Sequence, residues 1–164
     1  MDKKVINLGF KDIGELVTQE SYSSQIGVID SSKDLFGLVI PFTQSKNIYS
    51  YDFKLKAGYD FSQVDWEKND SAGKIIVKLP KVKLLSSEII LDSFKIYHEQ
   101  QSLFNRVSLK QNNELITKLR LEAEKAALDN GFFTRARENA EKVLTAFFSS
   151  AFDLSKYKLE FVDK

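Results

Sequence analysis

The alternation of hydrophobic and polar residues predicts β-strands in the first two-thirds of the chain. The clearest segment is IYSYDFKLKA, residues 48–57, where every second side chain is polar and the side chains between are mainly aromatic or aliphatic. This period of two is typical of a strand with one buried face. Similar but less regular segments span residues 15–29, 35–40, 74–79 and 93–99. Pro41 and Pro80 end two of them, because proline has no N–H for a sheet hydrogen bond.

From residue 112 onward the hydrophobic period is that of α-helices. Asn113 is the predicted N-cap of a first helix, and Asn130-Gly131 is its predicted C-terminal stop. A second apolar stripe covers residues 132–152, so the region forms either two helices or one long helix that tolerates the glycine. Residues 156–162 alternate again, which predicts a last strand that rejoins the sheet.

These elements predict one α+β domain over residues 1–164. We expect an antiparallel or mixed β-sheet of about five to seven strands, then a long C-terminal helical region and a final strand. We expect residues 15–111 to be mainly β, residues 112–152 to be helical and residues 156–162 to form the terminal strand. Residues 1–14 are interpreted as a lead segment of the kind found next to a membrane anchor.

Composition excludes several kinds of site. The 24 basic and 23 acidic residues nearly cancel, which argues against a dedicated nucleic-acid binder with its basic face. The absence of cysteine excludes disulfides, thiolate metal sites and cysteine nucleophiles, and it leaves the compartment open. No run reaches about 18 apolar residues, the length that a membrane-spanning helix needs. We expect no cofactor.

Five segments carry a further signal through their order and spacing. They are LVTQESY (16–22), LKAGYDFSQVDW (55–66), KIIVKLPKVKLLSSEI (74–89), FKIYHEQQSLFN (94–105) and ALDNGFFTRARENAEKVLTAFF (127–148). Together they resemble the bacterial family of domains of unknown function 4230. The resemblance covers the chain from about Leu16 to Val162, and each motif taken alone is weak. The layout of strands before a long helical region also resembles membrane-associated scaffold domains of the stomatin and prohibitin kind.

The family resemblance implies a single N-terminal transmembrane helix as an anchor. It implies no established activity, so it supplies no catalytic residues for this chain. Two explanations for the lack of such a helix stay open: a soluble member, or a member whose anchor has been removed. The opening MDKKVINLGFKDIGEL, residues 1–16, suits a segment next to a membrane and favours the second.

The acidic stretch LKAGYDFSQVDWEKND, residues 55–70, raises the question of a metal site. Counted as a calcium loop from Asp65, it places Glu67 and Asn69 at the third and fifth positions. The sixth position, which needs glycine, is Asp70, and the twelfth, which needs glutamate, is Ile76. The calcium-loop motif is therefore excluded, and a looser metal site on Asp65, Glu67 and Asn69 stays as an alternative.

The favoured interpretation of the same stretch is a polar turn between two strands. In it Gly58 permits the bend, Asp60 closes the turn and Trp66 packs on the core. His98, the only histidine, is the obvious general base, because histidine is the residue type most often used for proton transfer near neutral pH. The catalytic candidates are therefore His98, Asp60 and Asp65, although a structural histidine is the more common case.

Two further groups of residues are candidate contact surfaces. The basic run Lys74, Lys78, Lys81 and Lys83 suits anionic lipid head groups, while a solvated strand face or a lysine-guarded edge is the more ordinary interpretation. The helical stripe predicts a core against the sheet, with a fraction left for an oligomer or partner. Its candidate contacts are Phe132, Phe133, Phe147 and Phe148.

The sequence therefore predicts a non-enzymatic interaction or scaffold module of a membrane-tethered bacterial protein. We expect a protein partner or self-association, no nucleic acid, and a soluble domain outside the cytoplasm, or in it if the native protein has no anchor. The alternative is a small-molecule or metal-dependent enzyme that uses the Asp60–Asp70 turn and His98.

Overall fold

The computed structural model describes residues 14–164 and confirms the α+β class. In chain order its elements are β1 (Glu15–Ser31), β2 (Asp34–Leu35), β3 (Leu38–Val39), β4 (Ser45–Asp60), a 3₁₀ turn (Phe61–Gln63), β5 (Asp65–Asn69), β6 (Lys74–Leu79), β7 (Lys83–Gln100), α1 (Leu109–Asp129), α2 (Phe132–Ala151) and β8 (Lys158–Asp163). The described part of the chain contains more strands than predicted. The run 35–40 divides into the hairpin β2–β3, and β5 was not expected. The predicted lead segment lies outside the described residues except for Gly14.

Three long strands form an antiparallel main sheet in the order β1-β4-β7. β1 and β4 stay paired from Glu15 with Asp60 to Ser31 with Ser45, so the sheet is about 50 Å long at roughly 3.3 Å per residue. β7 is longer than the predicted 93–99, because bulges opposite β4 interrupt its period of two.

Both helices pack on one face of the main sheet. The helical face of α1 covers the half near Ile29 and Tyr49, and a Cβ atom on Gly27 would lie 2.7 Å from the Leu115 side chain. At the other half, the end of α1 and the start of α2 cover Leu55 and Ala57. The core is therefore a layer between the helices and one sheet face.

A second, small sheet has the order β5-β6-β8. Ile75, Val77 and Leu79 of β6 are fully buried against α2 and Tyr59. The last strand was predicted to rejoin the sheet; it joins this small sheet instead, parallel to β6, with Val77 opposite Phe161. The small sheet and the main sheet thus share α2 as a packing partner.

The helix boundaries differ from the prediction at one end. α1 begins after Ser108, whose hydroxyl and the Gln111 side chain form a reciprocal capping box, so the predicted N-cap at Asn113 was wrong. The predicted stop is confirmed, because Asn130 caps α1 and Gly131 has a φ of 78°, which divides the region into two helices. Among the described residues, no helix is long and apolar enough to cross a membrane.

Candidate functional site

The middle of the acidic stretch, Phe61–Gln63, is a 3₁₀ turn capped by Asp60. Its carboxylate accepts hydrogen bonds from the Ser62 amide at 3.1 Å, the Ser62 hydroxyl at 2.6 Å and the Gln63 side chain at 3.1 Å. These bonds, above all that of the Ser62 side chain, lower the pKa of Asp60. Asp60 is thus occupied as a cap, whereas residues 65–69, predicted as turn, form β5.

The three metal-ligand candidates each have a separate partner. Asp65 pairs with Lys164 at 2.5 Å, and Glu67 pairs with Lys78 at 3.1 Å. The Asn69 side chain accepts the amide of Ala72 at 2.9 Å. Within residues 14–164 no group of three or more histidine, aspartate or glutamate side chains is arranged to hold a metal ion.

Gly58 and Trp66 also act differently from the turn interpretation. Gly58 lies inside β4, and a Cβ atom there would lie 1.9 Å from the carbonyl oxygen of Leu16, so its role is close backbone approach rather than a bend. Trp66 is 50% exposed and meets the rings of Phe148 and Phe152 edge-on. It covers the margin of the core instead of entering it.

His98 lies far from the acidic stretch. It is exposed on β7 opposite Ile48, whereas Asp60 ends β4. The twelve residue steps from Ile48 to Asp60 along β4 correspond to about 40 Å. The structure therefore does not bring the catalytic candidates Asp60, Asp65 and His98 together, and the geometry gives the enzyme alternative no support.

A cleft of about 450 Å³ opens beside α2. It is lined by Tyr59, Leu79, Pro80, Lys81, Val82, Phe133, Arg137, Asp163 and Lys164. Tyr59 is only 1% exposed. This burial raises the pKa of the Tyr59 hydroxyl, although Arg137 acts in the opposite direction. The Arg137 guanidinium bonds Glu141 at 2.8 Å and Asp163 at 2.5 Å, so its charge is already balanced. The cleft therefore combines apolar side chains with charged ones, of which Arg137 and Asp163 are paired with each other.

The four candidate lysines do not form one basic surface. Lys74 pairs with Glu160 at 3.0 Å, and Lys78 has its own carboxylate on β5, as described above. Lys81 lines the cleft and Lys83 begins β7; neither has an ion pair within the described part of the chain. Lys74 and Lys78 are thus paired on β6, whereas Lys81 lies between two strands, and the contact of these lysines with anionic lipid stays a prediction.

The phenylalanines of α2 belong mainly to the core. Phe132 and Phe148 are buried, and Phe133 is half-buried beside the cleft. Of the four candidate partner contacts only Phe147, 60% exposed, is fully available, because the other side chains already fill the space between α2 and the sheets.

The opposite face of the main sheet is uncovered by any described element. We call it the open face. It consists of side chains of β1, β4 and β7 that point away from the helices: Tyr22, Ser24, Ile26, Val28, Ile48, Ser50, Asp52, Lys54, Glu88 and Tyr97. The imperfect alternation of residues 15–29 was the sequence signal for it, because β1 carries apolar side chains on both faces.

The open face has a polar half and an apolar half. In the polar half Ser24 donates to Asp52 at 2.5 Å and Lys54 lies 3.5 Å from Glu88. In the apolar half Val28 lies opposite Ile48. Next to them the buried Ser50 hydroxyl lies 3.4 Å from that of Tyr97. The apolar half consists of Ile48 and of the exposed Ile26, Val28 and Tyr97.

Comparison with known proteins gives one match. The family model described as "Protein of unknown function (DUF4230)" matches residues 9–158, most of the chain. No curated protein and no solved structure matches.

Proposed function

Because the chain belongs to the DUF4230 family, whose function is unknown, we propose a role from its surfaces: it is a non-enzymatic interaction module that binds a protein through the open face. The apolar half of that face carries this proposal. Contiguous exposed apolar side chains with a polar margin are typical of protein contact surfaces. The partner that we propose first is a second copy of the chain.

Charge on the polar half supports self-association. Both signs occur there, since Lys54 lies 3.5 Å from Glu88 and Asp52 precedes Lys54 by two residues on the same face of β4. In a two-fold arrangement each patch meets its own copy, so a face that carries both signs can complement itself. The near-zero net charge of +1 adds little general repulsion between copies.

Sedimentation velocity over a range of protein concentrations tests this proposal. Ile26→Lys introduces a charge into the apolar half, and we expect it to shift the chain to monomer. The control is Leu121→Lys on α1, where the leucine is 54% exposed and lies away from the sheet. A wild-type chain that stays monomeric at every concentration, or a dimer that Ile26→Lys leaves intact, overturns the proposal.

The family resemblance supports a second part of the proposal, a tether. We propose that the native protein is held at a bacterial membrane by an N-terminal transmembrane helix and that this domain lies outside the cytoplasm. The test is fractionation of cells that carry the complete native gene product. Recovery in the membrane fraction, released only by detergent, is expected; recovery as a soluble protein overturns the tether.

A further inference from the structure

One edge of the main sheet is open beside the corner between the two helices. β1 is the terminal strand on that side, in the order β1-β4-β7. A groove of about 380 Å³, which we call the edge groove, is lined by residues 19–23 of β1, by Ala126 and Asn130 near the end of α1, and by Phe132 and Arg135 at the start of α2. Five consecutive strand residues line it, so it follows the edge of the strand; a groove on one face would meet only every second side chain.

The helices close the edge groove at both ends. At one end the Thr18 hydroxyl donates to the carbonyl oxygen of Ala136 at 2.7 Å, which attaches β1 to α2. At the other end α1 covers β1, where the Leu115 side chain packs on Gly27. The open part, residues 19–23, is about 16 Å long at roughly 3.3 Å per residue. It therefore has the length of about five residues of an extended chain.

The direction of the β1 backbone groups follows from a bond on the far side of β4. The Asp52 amide donates to the Ser93 side chain of β7 at 2.7 Å, so it points away from β1. Ser24 lies opposite Asp52, and its own backbone groups therefore point outward from the sheet. Because this direction alternates along a strand, Tyr22 and Glu20 also direct their N–H and C=O groups outward, into the edge groove.

These outward groups have no partner in another strand. No backbone hydrogen bond from a further element of the described chain reaches residues 19–23. The Glu20 carbonyl oxygen accepts from the side chain of Gln19 at 3.2 Å, a local bond on an exposed surface that a ligand can replace. Alternating donors and acceptors along an extended edge are matched by the backbone of another extended chain.

The other edge of the main sheet is less suited to a further strand. The register of β7 with β4 shifts at three places, and the largest shift leaves residues 91–94 out of the pairing. Bulges of this kind protect an edge against additional strands. The register of β1 shifts only at Thr18, before the edge groove begins. The regular edge is thus the one beside the helices.

The two charged residues that line the edge groove lie on different sides of it. The Glu20 carboxylate accepts from the Tyr22 hydroxyl at 3.0 Å, on the side of the open face. Arg135 lies on the helix side, is exposed and has no ion pair among residues 14–164. It precedes Ala136, which bonds Thr18, so this cation lies at the Thr18 end. An acidic residue of a ligand would complement it there.

We propose that the edge groove binds an extended peptide of a partner protein, which joins β1 as a fourth strand of the main sheet. The peptide backbone pairs with Glu20 and Tyr22. Its side chains on the helix side lie beside Ser21 and Ser23, whose small side chains leave them room, and an acidic residue contacts Arg135. This site differs from the open face and goes beyond the self-association proposed for that face.

A peptide library supplies the probe. Random heptapeptides displayed on phage are selected against the immobilised 164-residue chain, and we expect enriched peptides that alternate in hydrophobicity and carry an acidic residue. A synthetic copy of one of them, added to the isotope-labelled chain, should shift the NMR signals of residues 19–23 and slow hydrogen exchange at the Tyr22 amide. A library without enriched peptides, or a peptide that protects β7 or β8 instead, overturns the proposal.

N-methylation of the synthetic peptide tests the backbone pairing. Methyl groups on every second nitrogen, placed in one of two phases, remove either the N–H groups that face β1 or those that face away. We expect one phase to weaken binding by about tenfold or more, because two or three hydrogen bonds are lost, and the other phase to have little effect. Equal effects of the two phases contradict strand addition.

Variants of the chain test the position of the site. Ala126→Phe fills the edge groove and should weaken peptide binding by about tenfold or more, whereas Ala146→Phe, at an exposed position of α2 beside β8, should not. Arg135→Gln should weaken binding by about two- to fivefold, and only for a peptide that keeps its acidic residue. Wild-type affinity in a folded Ala126→Phe chain overturns the proposal. If that variant fails to fold, as judged by circular dichroism, the methylated peptides still decide.

Sedimentation velocity separates this proposal from that of the open face. Ala126→Phe should lose peptide binding and keep whatever self-association the wild-type chain shows, because Ala126 lies on the helix side of β1. Loss of self-association in this variant with peptide binding intact overturns the assignment of the edge groove to a peptide.

Discussion

The Thr18 hydroxyl donates a hydrogen bond of 2.7 Å to the carbonyl oxygen of Ala136, 118 residues later in the chain. Thr18 is buried at the point where the pairing of β1 with β4 shifts by one residue. In return, the Asn139 side chain donates to the carbonyl oxygen of Thr18 at 2.6 Å. These two bonds attach α2 to the main sheet at the bulge, where the regular ladder is interrupted.

Thr18→Val should therefore lower the free energy of unfolding by about 1 kcal/mol or somewhat more, because it removes a buried hydrogen bond without changing the shape of the side chain. Urea denaturation gives the value. The control is Thr145→Val, since the exposed Thr145 hydroxyl also bonds a helix carbonyl, that of Glu141, but water can replace it. Equal effects at the two positions would contradict the proposed role of Thr18.

Gly58→Ala should destabilise the fold by about 3 kcal/mol or prevent folding, because the new Cβ atom would lie 1.9 Å from the backbone of Leu16 and neither strand can move without breaking the sheet. Gly27→Ala is the matched variant. There the new atom meets only the Leu115 side chain, which can adopt another rotamer, so we expect a cost of about 1–2 kcal/mol. Thermal unfolding measures both, and a tolerated Gly58→Ala would disprove the close approach.

Ser108→Ala should destabilise α1 by about 1 kcal/mol through loss of the capping box. Asn113→Ala should change stability by less than about 0.5 kcal/mol or increase it slightly, because Asn113 lies inside the helix, where alanine is the better helix former. The unfolding free energies of the two variants are compared by following the helical circular dichroism signal during urea titration. The reverse ranking would restore Asn113 as the cap.

Acid should weaken the small sheet. Hydrogen bonds from lysine side chains lower the pKa values of Asp65, Asp70 and Glu160 below their usual 3.8, 3.8 and 4.5. A carboxyl group with a lowered pKa in the folded state stabilises the fold above its unfolded pKa, and this contribution is lost as the pH falls through the folded value. The loss therefore begins near pH 4 and continues below it.

The fluorescence of Trp66, the only tryptophan, reports on this sheet directly because Trp66 lies in β5. We expect its urea midpoint to decrease from about pH 6 to about pH 3. Glu160→Gln should lower the midpoint at neutral pH and make it less sensitive to acid, since Glu160 pairs with both Lys74 and Lys158. A midpoint that is independent of pH would show that these ion pairs contribute nothing.

Several elements were predictable from local pattern. The strands at 48–57 and 74–79 and both helical stripes were recognised because a period of two or of 3.6 is a property of neighbouring residues. The family was recognised from segments in fixed order, and the match over residues 9–158 confirms it. The start of α1 was missed, because Ser108 and its partner Gln111 precede the apolar stripe.

The local pattern could not show which candidate residues lie together in a site and which are already paired or buried. Asp65 is balanced by Lys164, a residue almost 100 positions away, and His98 is separated from Asp60 by the length of β4. Phe148 and Phe147 are neighbours in sequence, but only the first faces the small sheet and is buried. Such contacts depend on which elements meet, which the local pattern does not contain.

The sequence by itself determined the types of most elements, the balance of charge and the family, because these follow from composition, local period and ordered motifs. Only the tertiary structure decided that β8 joins β6, that both helices cover the same face of the main sheet, and that the open face is left exposed. The physical reason is that burial requires a partner surface, and for these residues every candidate partner is distant in the chain.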